Sequence, residues 1–195
     1  MKQYIVPFIL YVITGPIIDY FFKGYGYLAK TIVTLVAVGY FWNEYKEIKL
    51  KFDPLSVIIG LIVFGVWIGL EVLYTPPQTA FIPTIQNIII RFFGSIFIAS
   101  IAEELFTRSF LMRFAIDPNR WEKVKIGEYS FLSFIITALF FGFAHNRWVA
   151  GLAVGIILNL YLYRKKDIFS CIQAHAWANL ILAVYVVVTS SWFFW

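Results

Sequence analysis

Charge is what this chain has least of. Only 14% of its 195 residues are Asp, Glu, Lys or Arg, against about 25% in soluble domains. No polar stretch is long enough to form a soluble domain of its own. There is one cysteine, Cys171, which excludes an intrachain disulfide and leaves the redox compartment unread. Only two histidines occur, His145 and His175. No H-E-x-x-H run is present, and no repeat relates the two halves as in many transporters. What is abundant is apolar surface: 61% of residues are hydrophobic and 21% aromatic. A soluble fold of this size could not bury so much, so lipid must be the solvent for much of it.

Periodic apolar runs predict an all-α polytopic bundle of about seven spans, since a bilayer core takes roughly 17–25 helical residues. The runs are Tyr4–Phe22, Tyr27–Trp42, Pro54–Tyr74, a long one ending near Phe114, Ser130–His145, Val149–Tyr163 and Ile168–Val188. The first contains Pro7, Pro16 and Asp19 and lacks a clear small-residue cleavage site, so it reads as a span and not a removed signal. Thr75-Pro76-Pro77 reads as a loop, because proline cannot continue a helix and extends the residue before it. The whole chain, residues 1–195, is expected to be one membrane-embedded domain, with the motif-bearing part at about 84–190. The fourth run is awkward. Pro83 to Ile116 is 34 residues, about 50 Å of helix, against a hydrocarbon core of roughly 30 Å. Strong tilt, or an interfacial Thr84–Arg91, would accommodate it.

The net charge of +5 points to orientation and not to nucleic acid. With the N-terminus inside, eleven basic residues fall in inner loops, from Lys2 through Lys46, Arg113 and Lys125 to Lys166. Two, Lys23 and Arg147, fall outside, while Lys30, Arg91 and Arg108 lie within spans. That bias predicts a multi-pass cell-membrane protein with a cytoplasmic N-terminus.

Charges within spans are costly and usually mark function. Glu104 and Arg108 are four apart, on one helix face within ion-pair reach. Glu103 lies about 100° round the helix and cannot easily share that arginine. A carboxylate without a counter-charge in an apolar setting suits general acid or base chemistry near neutral pH. His175 and Asn179 are four apart in Gln173-Ala174-His175-Ala176-Trp177-Ala178-Asn179 and share a face. Each histidine taken singly could be a hydrogen-bonded packing residue. The two histidines with a glutamate could also be a zinc set, which spacing leaves open. Cys171, His175 and Asn179 form an i, i+4, i+8 stripe reminiscent of Cys-His-Asn chemistry, with buried structural cysteine the simpler reading. Gly151-x3-Gly155 fits close helix packing. Asp19 and Glu71 fall toward span ends.

Glu103-Glu104-x3-Arg108, then Phe141-x3-His145, then His175-x3-Asn179, in this order, resemble the CAAX protease and bacteriocin-processing family, whose best-known branch is the Ras-converting CAAX endopeptidase. The similarity covers about Ser95 to Leu182. Each motif alone is weak; the ordered triple is fairly specific. Small members of a branch linked with exosortase-type sorting systems look similar in size and leading spans. The resemblance implies a glutamate-dependent intramembrane endopeptidase without a cofactor or metal. It acts on a membrane-associated protein or peptide, lipidated or not, within the bilayer. Carried over by position, Glu103 is the base that activates water, with His145 assisting. His175 and Asn179 stabilise the oxyanion, and Glu104 with Arg108 holds the helix. Two other classes stay open: a non-catalytic immunity or partner-recruiting membrane protein of the same family, and a small proton-coupled transporter. One geometric demand is severe. Counted from the expected inner span ends, His175 lies about 11 Å deep and His145 about 22–24 Å, so the two must be brought to one level to act together.

Overall fold

A computed structural model describes residues 1–75 and 81–195. The Pro76-Pro77 part of the expected loop lies outside the described residues. Among the described residues there are seven helices and no strand: α1 (Lys2–Phe21), α2 (Gly26–Tyr40), α3 (Pro54–Gly69, tightening to a 3-10 turn at Leu70–Leu73), α4 (Ile85–Ile116), α5 (Phe131–Phe143), α6 (Trp148–Lys165) and α7 (Ile168–Thr189). Four of them are long and apolar enough to cross a membrane: α1, α3 with its 3-10 turn, α4 and α7. α2 and α5 are shorter apolar helices. The protein is therefore a multi-pass helical membrane protein.

Local chemistry explains where helices begin and end. Asp53 precedes Pro54, its carboxylate accepts from the Leu55 N–H at 3.2 Å, and proline occupies the first turn, where no donor is needed. Thr84 caps α4 through the Asn87 N–H at 3.2 Å, and Asp167 caps α7 through Phe169 and Ser170. α6 stops where Lys166 turns left-handed, φ 52°.

Three hairpin-like pairings, α1 with α2, α3 with α7 and α5 with α6, surround α4, which touches α1, α2, α5 and α7. Two glycines set the closest approaches. A Cβ on Gly60 would meet Trp177 Cβ at 2.5 Å and the Ala174 carbonyl at 2.9 Å, so α3 lies against the α7 backbone. A Cβ on Gly155 would meet the Ala138 carbonyl oxygen at 3.1 Å. The Gly151-x3-Gly155 stripe thus brings α6 onto α5, as small-residue stripes do in lipid.

The long fourth run is one unbroken helix of 32 residues, but not a regular one. Two π-helical stretches, Gly94–Ala99 and Leu105–Leu111, flank the short α-helical piece Ser100–Glu104. Such stretches are rare and occur often at functional sites. Here they bracket the two glutamates.

Candidate active site

Glu104 and Arg108 are both fully buried, and Arg108 Nη1 donates to Glu104 Oε1 at 3.0 Å. The pair is not isolated. Arg108 Nε donates to Asn159 Oδ1 (3.2 Å) and Nη2 to the Gly155 carbonyl (3.3 Å), with the guanidinium 4.2 Å over the Phe141 ring. Asn159 donates onward to Thr137 Oγ1 (2.9 Å) and the Phe134 carbonyl (3.2 Å). Glu104 and Arg108 thus tie α4 to both α5 and α6. Sequence reading missed Asn159, although it continues the Gly151-x3-Gly155 stripe by four residues.

Glu104 does more than hold a helix. His175 Nδ1 lies 2.9 Å from the same Oε1 that meets Arg108. An ionised carboxylate only accepts, so His175 Nδ1 carries the hydrogen, and Nε2 is left facing away. His145 is held in the same sense by a different group. It lies just beyond the end of α5, where the chain turns back: its backbone N–H donates to the Gly142 carbonyl (3.1 Å) and Nδ1 to the Phe141 carbonyl (2.7 Å). Trp67 of α3 and Phe141 pack against its ring, with centroids at 5.5 and 4.7 Å.

Both Nε2 atoms face one oxygen. His145 Nε2 is 3.8 Å and His175 Nε2 is 4.0 Å from Glu103 Oε2. The depth mismatch expected from span ends therefore closes at the side chains: the turn after Phe143 carries His145 back toward α4, and Glu104 holds His175 beside it. These contacts are longer than hydrogen bonds, and Glu103 Oε2 accepts none among the described residues. The three side chains keep modest access, 15% for Glu103, 25% for His145 and 9% for His175. All line a cavity of about 320 Å³ to which α1 through α7 each contribute, α6 through Val154.

Asn179 lines the same cavity, but its amide hydrogens point at α4. Nδ2 donates to the Ser95 carbonyl (2.7 Å) and to Ser100 Oγ (3.2 Å), and Ser100 Oγ itself donates to the Ser95 carbonyl at 3.3 Å. Ser95 lies in the first π-helical stretch, and its carbonyl accepts from both side chains. Asn179 is thereby tied to the shape of α4 just before Glu103.

The remaining polar residues separate cleanly. Cys171 sits in the apolar core, its Sγ 3.8 Å from the Leu158 carbonyl, away from the cavity. Asp19 accepts from the Gly24 and Gly26 N–H groups at the α1–α2 turn. Glu71 pairs with Arg147 beside the end of α3. No group of three or more His, Cys, Asp or Glu among the described residues is arranged to hold a metal ion. Two cations that sequence reading assigned to spans without a role, Lys30 and Arg91, also line the cavity.

Residues 84–181 match the model of a protein family described as type II CAAX prenyl endopeptidase Rce1-like. Glu103, Glu104, Arg108, His145, His175 and Asn179 all fall inside the match. Comparison with curated proteins and with solved structures found no match.

Proposed function

The chain belongs to the Rce1-like type II CAAX prenyl endopeptidase family, a peptidase family, and on that premise we propose that it is an intramembrane endopeptidase. It hydrolyses a peptide bond of a membrane-associated substrate by attack of a water that Glu103 activates. The observation that carries this is the convergence of Glu103 Oε2 with two imidazole Nε2 atoms at 3.8 and 4.0 Å. With both Nδ1 atoms used as donors, the neutral rings present acceptors. Three acceptors facing one another attract a water, whose two hydrogens satisfy two of them and whose oxygen faces the cavity.

Glu103 takes one proton as the water oxygen bonds to the substrate carbonyl carbon, and returns it to the leaving amine as the C–N bond breaks. His145 holds the water through its second hydrogen. The water's two hydrogens go to Glu103 and His145; His175, taking up a solvent proton on Nε2, is then an imidazolium held by Glu104 and donates to the oxyanion, and Asn179 joins it by exchanging its longer bond to Ser100. Fixed donors in a low-dielectric site stabilise such charge strongly. Glu104 acts on His175 and Arg108 rather than on substrate. The proposed setting is a seven-span bundle with the N-terminus cytoplasmic, in line with the basic-residue bias.

The test is cleavage of a panel of membrane-tethered peptides by the purified protein and by Glu103→Gln in the same detergent, read by mass spectrometry. Cleavage by the native protein alone is the expected result. Equal cleavage by both removes Glu103 from the mechanism, and no cleavage of any peptide favours the non-catalytic reading.

A further inference from the structure

Among the described residues, five buried side-chain atoms have no hydrogen-bond partner: Thr34 Oγ1, Trp67 Nε1, Glu103 Oε2, Glu104 Oε2 and the Tyr163 hydroxyl. Two of these residues, Trp67 and Glu103, line the cavity of the candidate site. They are opposite in kind. A carboxylate oxygen accepts, whereas an indole N–H can only donate. A buried donor without a partner is costly and rare in folded proteins. Packing holds this one in place. Gly60, Val63 and Trp67 form one stripe along α3, since seven residues make close to two full turns. Gly60 lies against the α7 backbone, and Val63 is buried and lines the same cavity. The Trp67 ring meets the His145 ring edge to face, with centroids 5.5 Å apart and planes at 77°. Its Nε1 is itself buried, so the N–H does not face lipid.

The other donors near the reacting centre have prior commitments. His175 gives its Nδ1 hydrogen to Glu104, and its Nε2 must first take up a proton. Asn179 gives its amide hydrogens to Ser95 and Ser100. The Trp67 N–H needs neither a proton nor an exchange of partners. Resting on the reading of this cavity as a peptidase site, we propose that the Trp67 indole N–H donates to the oxygen of the carbonyl under attack. The bond strengthens as that oxygen becomes an anion, and the indole keeps its hydrogen throughout. Its place against His145 sets it beside the water that His145 and Glu103 hold, and the attacked carbonyl must lie against that water. A fixed donor in a low-dielectric site needs no reorganisation when charge develops. An indole N–H also does not titrate as an imidazole does. Trp67 lies outside the matched residues 84–181, so α3, which carries none of the three motifs, supplies this donor.

The test uses one substitution and one measurement that needs no turnover. Trp67→Phe keeps a ring against His145 and removes the N–H. Its kcat on a membrane-tethered peptide should fall about 10²-fold, while KM and the unfolding temperature in detergent stay near the native values. For the second measurement, a peptide difluoroketone is added to native protein isotope-labelled at the tryptophan indole nitrogens. Its carbonyl takes up water reversibly and presents the tetrahedral oxygens of the intermediate. One indole N–H proton should move downfield in the magnetic resonance spectrum, and that resonance should be missing from Trp67→Phe. Native turnover by Trp67→Phe overturns the proposal. So does a raised KM at native kcat, which would put the N–H on another part of the substrate. A fall in unfolding temperature that accounts for the lost activity also overturns it, by making Trp67 structural. If the difluoroketone moves the Trp67 resonance in a protein that cuts no peptide, the donor stands and the peptidase reading falls. If it leaves that resonance where it was, the donor falls, whether or not peptide is cut.

Discussion

Two neighbouring regions of α4 differ by a single residue step. On the Glu104 side the charges are paired: Oε1 of the carboxylate meets Arg108 and His175, Arg108 meets Asn159, the Gly155 carbonyl and the Phe141 ring, and only Glu104 Oε2 accepts no hydrogen bond among the described residues. On the Glu103 side the carboxylate faces two imidazoles without bonding either, and Lys30 and Arg91 line the same cavity against aromatic rings, with no ion pair among the described residues. Burying a charge is tolerable when it is paired and hydrogen-bonded, so the first region is what holds the helices together. The second carries the cost of unmatched groups, which is where ligands and reacting atoms find partners.

The sharpest way to break that comparison is to exchange the two glutamates' roles by mutation. Glu103→Gln should abolish cleavage, a loss of at least about 10²–10⁴-fold, with thermal stability in detergent kept within a small margin. Glu104→Gln should instead destabilise by roughly 3–5 kcal/mol, because Arg108 is left buried without its partner. It should also slow cleavage, because His175 loses the carboxylate that orients it. Both variants need activity and thermal unfolding measured under one set of conditions. A stable, inactive Glu104→Gln beside an active Glu103→Gln would reverse the assignment.

A smaller effect is expected at Asn159. Asn159→Ala leaves Arg108 Nε and Thr137 Oγ1 short of partners and should lower stability by about 1–3 kcal/mol, while the change in KM stays slight. A variant as stable as the native protein would mean that Arg108 is satisfied without α6. Asn179→Ala sharpens the other side. It frees the Ser95 carbonyl, so it should lower kcat more than stability if Asn179 reaches the oxyanion, and stability alone if it only shapes α4.

Outside the spans, Asp53 offers a pH test. Burial alone would raise its carboxyl, but the Tyr161 hydroxyl, the Lys165 ammonium and the Leu55 N–H, all donating to it, outweigh that and bring it from 3.8 to about 2. The folded value is the lower one, so the ionised form favours the fold. That contribution is complete above about pH 4 and fades as pH falls toward 2. Asp53→Asn should flatten the stability profile in that window and lower stability at neutral pH. An unchanged acid limb would remove Asp53 as its source. The least change is expected from chelator: activity should persist after metal removal, and elemental analysis should find no stoichiometric zinc. Activity lost to chelator and restored by zinc would put a metal on His145, His175 and Glu103.

Periodicity and spacing determined a good deal. The apolar runs mark the helices to within about two residues, because the cost of exposing backbone to lipid forces each run into helix. The i, i+4 spacing pairs Glu104 with Arg108, because neighbours on a helix face need nothing else to meet. The order of the three motifs carried the family. Contacts between helices were another matter. That Glu104 also grips His175, that Asn159 receives Arg108, that Asn179 points at Ser95 and that Lys30 reaches the cavity of Glu103 all depend on which helices are neighbours and on their depth. The two π-helical stretches in α4 are equally silent in the pattern, since they shift register without changing composition. Spacing along one helix is set by local geometry and can be read from the chain. Distances between helices follow from the packing of the whole bundle, from glycine contacts such as Gly60 and Gly155 outward, and only the tertiary structure decided them.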